Sequence, residues 1–260
     1  MTPVWLSRWR NRVRYLIAAP FTYRNWWAMP LAKLGKSVVL ELRDGTRYLV
    51  RAGTTDLAAV NEAAILNPYL RYPQIVLTEN ATVIDIGAYI GDFSMQVARA
   101  CPRGRILAVE PLSAHIRMIE TQMALNHVSH VEPVRVAVGG INRRAWLTDD
   151  GMASRVTERD DVEAVDVVTL ESLMDQYGIG SVDLLKLDCE GAEWDILPAA
   201  ERVLPRVAQI CMEFHCERGW TAVKLADWLR SRGFVVSHTA GTWNGLLWAT
   251  RSTDRRSPVV

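Results

Sequence analysis

The stretch Val83-Ile84-Asp85-Ile86-Gly87-Ala88-Tyr89-Ile90-Gly91-Asp92-Phe93-Ser94 decides the fold class. Its first half is apolar and β-branched, as a buried strand requires. Gly87 and Gly91 then allow a tight turn and a close backbone approach to a ligand. A helix starts beyond them, and its N-terminus leaves backbone N–H groups free. A dinucleotide site usually shows GxGxxG at this point. Here the spacing is GxxxG, with Asp85 two residues before the first glycine. An acid there suits a ligand with a positive group better than a pyrophosphate. The turn alone is also what an ordinary βα connection looks like.

The same grammar repeats on the C-terminal side. Strands are predicted over Ala81–Ile86, Arg105–Glu110, Val131–Val138, Val165–Val168, Val182–Asp188 and Val207–Phe214. Helices are predicted over Gly91–Ala100, Ser113–Asn126, Leu170–Tyr177, Ala192–Ala200 and Ala222–Arg232. The region after Val138 is more irregular, with a turn at Asp149-Asp150-Gly151. Phe234–His238 and Leu246–Thr250 read as a closing antiparallel pair, and residues 251–260 as a polar tail. Alternating β and α units imply a mostly parallel sheet covered on both faces. Ligands of such sheets bind at the carboxyl ends of the strands.

Those strand ends carry acids. The second strand ends Val109-Glu110-Pro111, where a carboxylate can accept from both hydroxyls of a ribose. The run Leu184-Leu185-Lys186-Leu187-Asp188-Cys189-Glu190-Gly191-Ala192-Glu193 delivers three carboxylates into one short turn. Close carboxylates repel unless a cation or donors intervene, and Lys186 can supply one partner. Asp188 and Glu190 are read as functional, whereas Glu193 also fits an acid at a helix N-terminus. The next strand ends Glu213-Phe214-His215, with Glu213 and His215 on one face. His215 is a candidate base near neutral pH.

Upstream, Val38–Leu42 and Arg47–Arg51 flank Asp44-Gly45, a hairpin signal, and Asp56–Leu66 reads as a helix ended by Asn67-Pro68. Residues 1–36 hold Arg8, Arg10, Arg12, Arg14, Arg24, Lys33 and Lys36 and no acid. Trp5, Leu6, Trp9, Val13, Leu16 and Ile17 fall on one helical arc. Such a helix either packs on the domain or on a second copy, giving a homo-oligomer, or lies on an anionic membrane.

Composition bounds the rest. The chain has 260 residues, enough for one large α/β domain and short for two. With 49% hydrophobic and 23% charged residues it is neither disordered nor a disulfide scaffold. A net charge of +1 does not suit a chain built to wrap nucleic acid, so no nucleic-acid partner is expected. Cys101, Cys189, Cys211 and Cys216 form no CxxC pair and read as reduced thiols of a cytoplasmic protein, with the inner membrane face as a peripheral location. No signal peptide or membrane-spanning run is expected.

Taken together, the chain resembles the FkbM family of S-adenosylmethionine-dependent methyltransferases from about Gly53 to Thr250. The carriers are Gly53-Thr54-Thr55-Asp56, Val83–Ser94, Val109-Glu110-Pro111, Asn126, Val165–Leu170, Glu213-Phe214-His215 and, most specifically, the KxDxEGxE pattern from Lys186 to Glu193. Tyr89 stands where the family usually has Asn. The resemblance implies an α/β class I methyltransferase (Rossmann-like) fold, with a seven-stranded mostly parallel sheet and one antiparallel strand. Residues 1–52 would add a helical and hairpin extension, 53–250 the methyltransferase domain and 251–260 the tail. It implies O-methylation of a hydroxyl on a small-molecule acceptor: a sugar, polyketide or other secondary metabolite. Asp85, Gly87, Ala88, Tyr89 and Gly91 would border the methionine end of S-adenosylmethionine, and Glu110 would hold its ribose. Pro111, Leu112 and Ala137 would border the adenine. Asp188 would sit nearest the methyl, with Asp188, Glu190 and His215 as the catalytic set. A Mg²⁺ held by Asp188, Glu190 and Glu213 is the alternative means of acidifying the hydroxyl. Competing readings are a nicotinamide dehydrogenase, disfavoured by the missing GxGxxG, and a non-catalytic, membrane-attached cofactor-binding module.

Overall fold

A computed structural model describes residues 4–148, 155–157, 163–216, 219, 221–239 and 244–251. Helix α1 (Val4–Thr22) and a short α2 (Met29–Lys33) lead into the hairpin β1 (Val38–Glu41) and β2 (Arg47–Val50). Helix α3 (Asp56–Asn61) continues as a wider π-helical turn over Glu62–Leu66, which ends at Asn67 with φ +44. The regular helix predicted to Leu66 therefore widens half-way, within the segment that carries Glu62.

The core is a seven-stranded sheet. Its strands are β3 (Thr82–Ile86), β4 (Arg105–Val109), β5 (Val131–Val134), β10 (Leu184–Leu187), β11 (Gln209–His215), β12 (Phe234–His238) and β13 (Asn244–Arg251). The order is β12-β13-β11-β10-β3-β4-β5, and β13 alone runs antiparallel to its neighbours. Helices α4 (Asp92–Ala100), α5 (Ser113–Asn126), α6 (Leu170–Gln176), α7 (Glu193–Ala199) and α8 (Ala222–Arg230) cover its two faces. Thr169 and Thr221 cap α6 and α8, their hydroxyls accepting from Ser172 N and Lys224 N.

Because strand side chains alternate, each central strand feeds two cores. Ile84, Leu107 and Leu185 pack on one face with Leu173, Ile196 and Leu225. Val83, Ile106 and Leu184 pack on the other with Phe93, Met118 and Ile119. Tyr23, Leu40 and Tyr48 belong to that second core, so the N-terminal segment shares its apolar interior with the sheet. The side chain of Gln122 in α5 bonds both Leu49 N and Leu49 O at 2.9 Å, fastening the hairpin.

The predicted strand Val131–Val138 is in fact two. The chain leaves the main sheet after Val134 and enters a second, four-stranded sheet as β6 (Ala137–Val138). That sheet has the order β6-β9-β7-β8, with β7 at Arg143–Thr148, β8 at Arg155–Thr157 and β9 at Glu163–Val168. It occupies the stretch that reads as irregular in the sequence. The turn expected at Asp149–Gly151 lies outside the described residues.

Candidate active site

A cleft opens at the carboxyl ends of β3, β4, β10 and β11, lined by Gly87, Glu110, Asp188 and Glu213 among others. Gly87 and Ala88 both donate N–H bonds to Val109 O, at 3.0 and 3.1 Å, which ties the first turn to β4. Gly87 has φ +77, and a Cβ there would lie 1.9 Å from the Asp188 carbonyl oxygen. Only glycine lets the turns after β3 and β10 touch.

Tyr89 also has a left-handed backbone, φ +49. Asn visits this region more readily than Tyr does. The phenol compensates by bonding Thr55 Oγ1 at 2.8 Å and Asp56 Oδ1 at 2.9 Å. Burial pushes the Asp56 carboxyl up, but the Arg51 guanidinium and backbone N–H bonded to it hold it below its usual value.

Glu110 is almost wholly buried, and its carboxylate organises the turn. Oε2 accepts from Tyr89 N at 3.0 Å, and Oε1 accepts from Leu112 N at 3.1 Å. His115 Nδ1 lies 3.1 Å from Oε1. A carboxylate offers about four acceptor sites, so Glu110 keeps capacity for a ligand. Beside it Pro111, Val136, Ala137, Val138 and Leu147 form an apolar slot. β6 and β7 of the second sheet provide three of those five.

At the other end, Asp188 Oδ2 accepts from the Tyr69 hydroxyl at 2.9 Å and lies 3.7 Å from Lys186 Nζ. Glu62 and Asp92 line the same end. Burial raises both carboxyls, Asp92 to about 7, and Asp188 adds repulsion at Glu62. Glu213 faces the cleft, with Asn244 Nδ2 donating to its Oε1 at 2.8 Å. Burial and the neighbouring Asp188 raise Glu213 to about 7.

Residues 85–236 match the methyltransferase FkbM domain. The chain belongs to the FkbM methyltransferase family. It is 29% identical to the AMB antimetabolite synthetase AmbE of Pseudomonas aeruginosa, a match covering 63% of this chain and 10% of that protein. It is 24% identical to Methyltransferase 1 of Beauveria bassiana, over 64% of this chain and 76% of the relative. Among solved structures, the FkbM methyltransferase of Methylobacillus flagellatus superimposes with a TM-score of 0.53 at 16% identity, covering 75% of this chain and 53% of that one. That likeness shows the shared fold. The chain thus spans about half of that structure and a tenth of the first relative. Family membership sets the dehydrogenase reading aside.

Within this FkbM site several expected residues sit elsewhere. Asp85 does not line the cleft. It is fully buried, bonded by Ser94 Oγ at 2.6 Å and paired with Lys186 Nζ at 3.1 Å. Asp85 and Lys186 are direct neighbours across β3 and β10, so strand pairing consumes the charge. Ala88 and Gly91 shape the turn from below, Gly91 at φ +81 against Ile119. Leu112 lies behind the apolar slot, in a small core with Ala145, Leu147 and Val167.

His215 is likewise outside the cleft lining. Its ring lies 3.5 Å from Glu190 and 3.5 Å from the buried Glu193. Burial lowers its proton affinity, but the two carboxylates outweigh this and raise it to about 9. The two acids favour the protonated ring, which disfavours His215 as the expected base. Glu193 itself closes the turn by accepting from Cys189 N and Gly191 N, both at 3.0 Å. Glu190 lines the cleft, in a left-handed conformation with φ +53. Among the described residues no three His, Cys, Asp or Glu side chains converge as a metal would need. The proposed Asp188, Glu190 and Glu213 cation site is therefore not assembled.

The pairing with two acids ties the charge of His215 to folding. Its contribution to stability is fully present below pH 6.5 and is lost as pH rises through about 9. Thermal melting between those pH values should fall more steeply for the wild type than for His215→Gln. Parallel curves would show that the ring is not held by the two acids.

Sequence reasoning does not single out Glu62, Tyr69, Asp92 or His115. Two of them precede the alternating strands and helices, and only the fold carries them to the cleft. His115 shows one signal, lying in the first turn of α5, five residues beyond the strand-end acid Glu110.

Proposed function

We propose that this chain transfers the methyl group of S-adenosylmethionine to a hydroxyl oxygen of a small acceptor: a sugar, polyketide or other secondary metabolite. The observation that carries the reading is one cleft with an apolar slot and the Glu110 carboxylate at one end, and Asp188 with Glu213 at the other. The donor set fits the cofactor. Glu110 suits ribose hydroxyls, the Pro111–Ala137 slot suits an adenine ring, and Asp92 and Glu62 offer acids to cationic groups. Asp92 takes the place expected of Asp85. The antimetabolite synthetase relative supports a small-molecule setting.

When bound, S-adenosylmethionine supplies a methyl group on a positively charged sulfur, already reactive toward a nucleophile. The protein's work is alignment and proton removal. Tyr69 fixes the Asp188 carboxylate, and Lys186 beneath it keeps a positive charge close by. Glu213, raised to about 7, can accept the hydroxyl proton as the oxygen attacks. Asp188 then orients the hydroxyl from the neighbouring strand.

Titration calorimetry with S-adenosylmethionine and S-adenosylhomocysteine tests the cofactor, with NAD as the control. Micromolar binding of the first two, and none of NAD, is expected. Glu110→Gln should weaken both by about tenfold to a hundredfold, since one acceptor oxygen becomes a donor facing donors. Unchanged affinity would remove Glu110 from the site. An acceptor screen over hydroxylated sugars and metabolites, read by mass, tests oxygen as the methylated atom.

A further inference from the structure

We propose that the outer face of α1 and the turn after it docks on an anionic lipid bilayer. Eight of the eleven large apolar side chains that are exposed among the described residues lie between Leu16 and Val39. The other three, Ile141, Val223 and Val235, lie far along the chain. At about 100° per residue, Tyr15, Ala18, Ala19 and Thr22 fall on one face of α1. Tyr15, Ala18 and Ala19 pack into the core beside Tyr23, whose hydroxyl donates to Asn61 Oδ1 at 2.9 Å. Leu16, Ile17 and Phe21 take the opposite face and are 75%, 65% and 77% exposed. Leu16 and Ile17, two members of the apolar arc read from the sequence, thus face away from the domain.

The patch continues through Trp26, Trp27, Leu31 and Leu34, with Trp27 at 63% and Leu34 at 74%. Folding leaves these side chains in water, at a cost that burial elsewhere would remove. Charge selects the occupant. Residues 1–36 carry seven arginines and lysines and no acid, and Arg14, Lys33 and Lys36 are exposed around the patch. A two-fold contact with a second copy would set these cations against their own kind. An anionic headgroup layer complements them, and tryptophan rings favour the boundary between headgroups and acyl chains. No described helix is long and apolar enough to cross a membrane, so the contact lies in the plane of the surface. This goes beyond methyl transfer and does not rest on it.

The test is flotation of the full chain with phosphatidylcholine vesicles, with and without phosphatidylglycerol. Deleting residues 1–36 would strip core side chains, so point variants are used. Wild type should float with the anionic vesicles, at least about tenfold more weakly in high salt or on phosphatidylcholine alone. Leu16→Ser/Ile17→Ser/Phe21→Ser should lose about tenfold or more of that binding with unchanged circular dichroism. Arg14→Gln/Lys33→Gln/Lys36→Gln, which touches no core residue, should lose the preference for the anionic vesicles. Wild type remaining in the lipid-free fraction overturns the proposal. So does a wild-type dimer, seen by sedimentation, that the triple serine variant abolishes while neither protein floats.

Discussion

Lys186→Met should cost roughly 3–5 kcal/mol of unfolding free energy, the typical penalty for removing one partner of a buried ion pair. Lys186 is 3% exposed and Asp85 fully buried, so neither charge can turn to water. Lys186 Nζ donates to Gly87 O at 2.8 Å and lies 3.1 Å from Asp85 and 3.7 Å from Asp188. Burial alone would lower its proton affinity, but the carboxylates of Asp85, Asp188 and Asp92 more than reverse this. Methionine fills much the same volume, so the loss is electrostatic rather than a cavity. It leaves the Asp85 carboxylate with Ser94 as its remaining partner and frees the Gly87 carbonyl at the turn.

The pair itself need not be stabilising, since an apolar replacement of both partners is often neutral. The double variant Asp85→Asn/Lys186→Met should therefore cost clearly less than the sum of the single changes. Urea unfolding of the four proteins measures this. A loss below about 1 kcal/mol for Lys186→Met, or strict additivity, would show that the three carboxylates do not depend on the ammonium.

The same pair shows where the sequence is legible and where it stops. Glu110 is legible as a cleft residue because a strand-end acid before Pro111 has one natural outlet. Asp85 is not legible as one half of a buried ion pair because its partner stands a hundred residues later. Nothing local indicates that β10 pairs with β3 in the register that sets Lys186 beside Asp85. Once they touch, the acid nearest the glycine turn is spent inside the protein, and Asp92 becomes the acid facing the cleft. The acid neighbours of His215 are hidden for a related reason. Alternation along β11 places it on the face of Glu213, but one step further out, between Glu190 and Glu193. The break after Val134 is not legible because valines at 131, 134, 136 and 138 keep a β-branched run going across two sheets, past Glu132, Pro133 and Arg135. Tyr69 and Glu62 lie in a segment whose composition reads only as helix and loop.

Asp188→Asn and Glu213→Gln should each lower kcat by about 10²–10⁴ while leaving S-adenosylmethionine affinity within a few-fold of wild type. Both replacements keep shape. The amide oxygen that Asp188→Asn leaves in place can still accept from the Tyr69 hydroxyl, so the loop that bears it is held. The two should differ in pH dependence. Glu213 binds its proton at about 7, and only its ionised form accepts another. Wild-type kcat should therefore rise with pH through about 7 and then level off. In Glu213→Gln that limb should vanish together with most of the rate. In Asp188→Asn a limb should persist at reduced amplitude, moved to lower pH, because the repulsion that helps raise Glu213 is gone. A Glu213→Gln enzyme with full activity and an intact limb would leave Asp188 as the base. Full activity in both variants would mean that alignment alone carries the reaction and that neither carboxylate takes the proton.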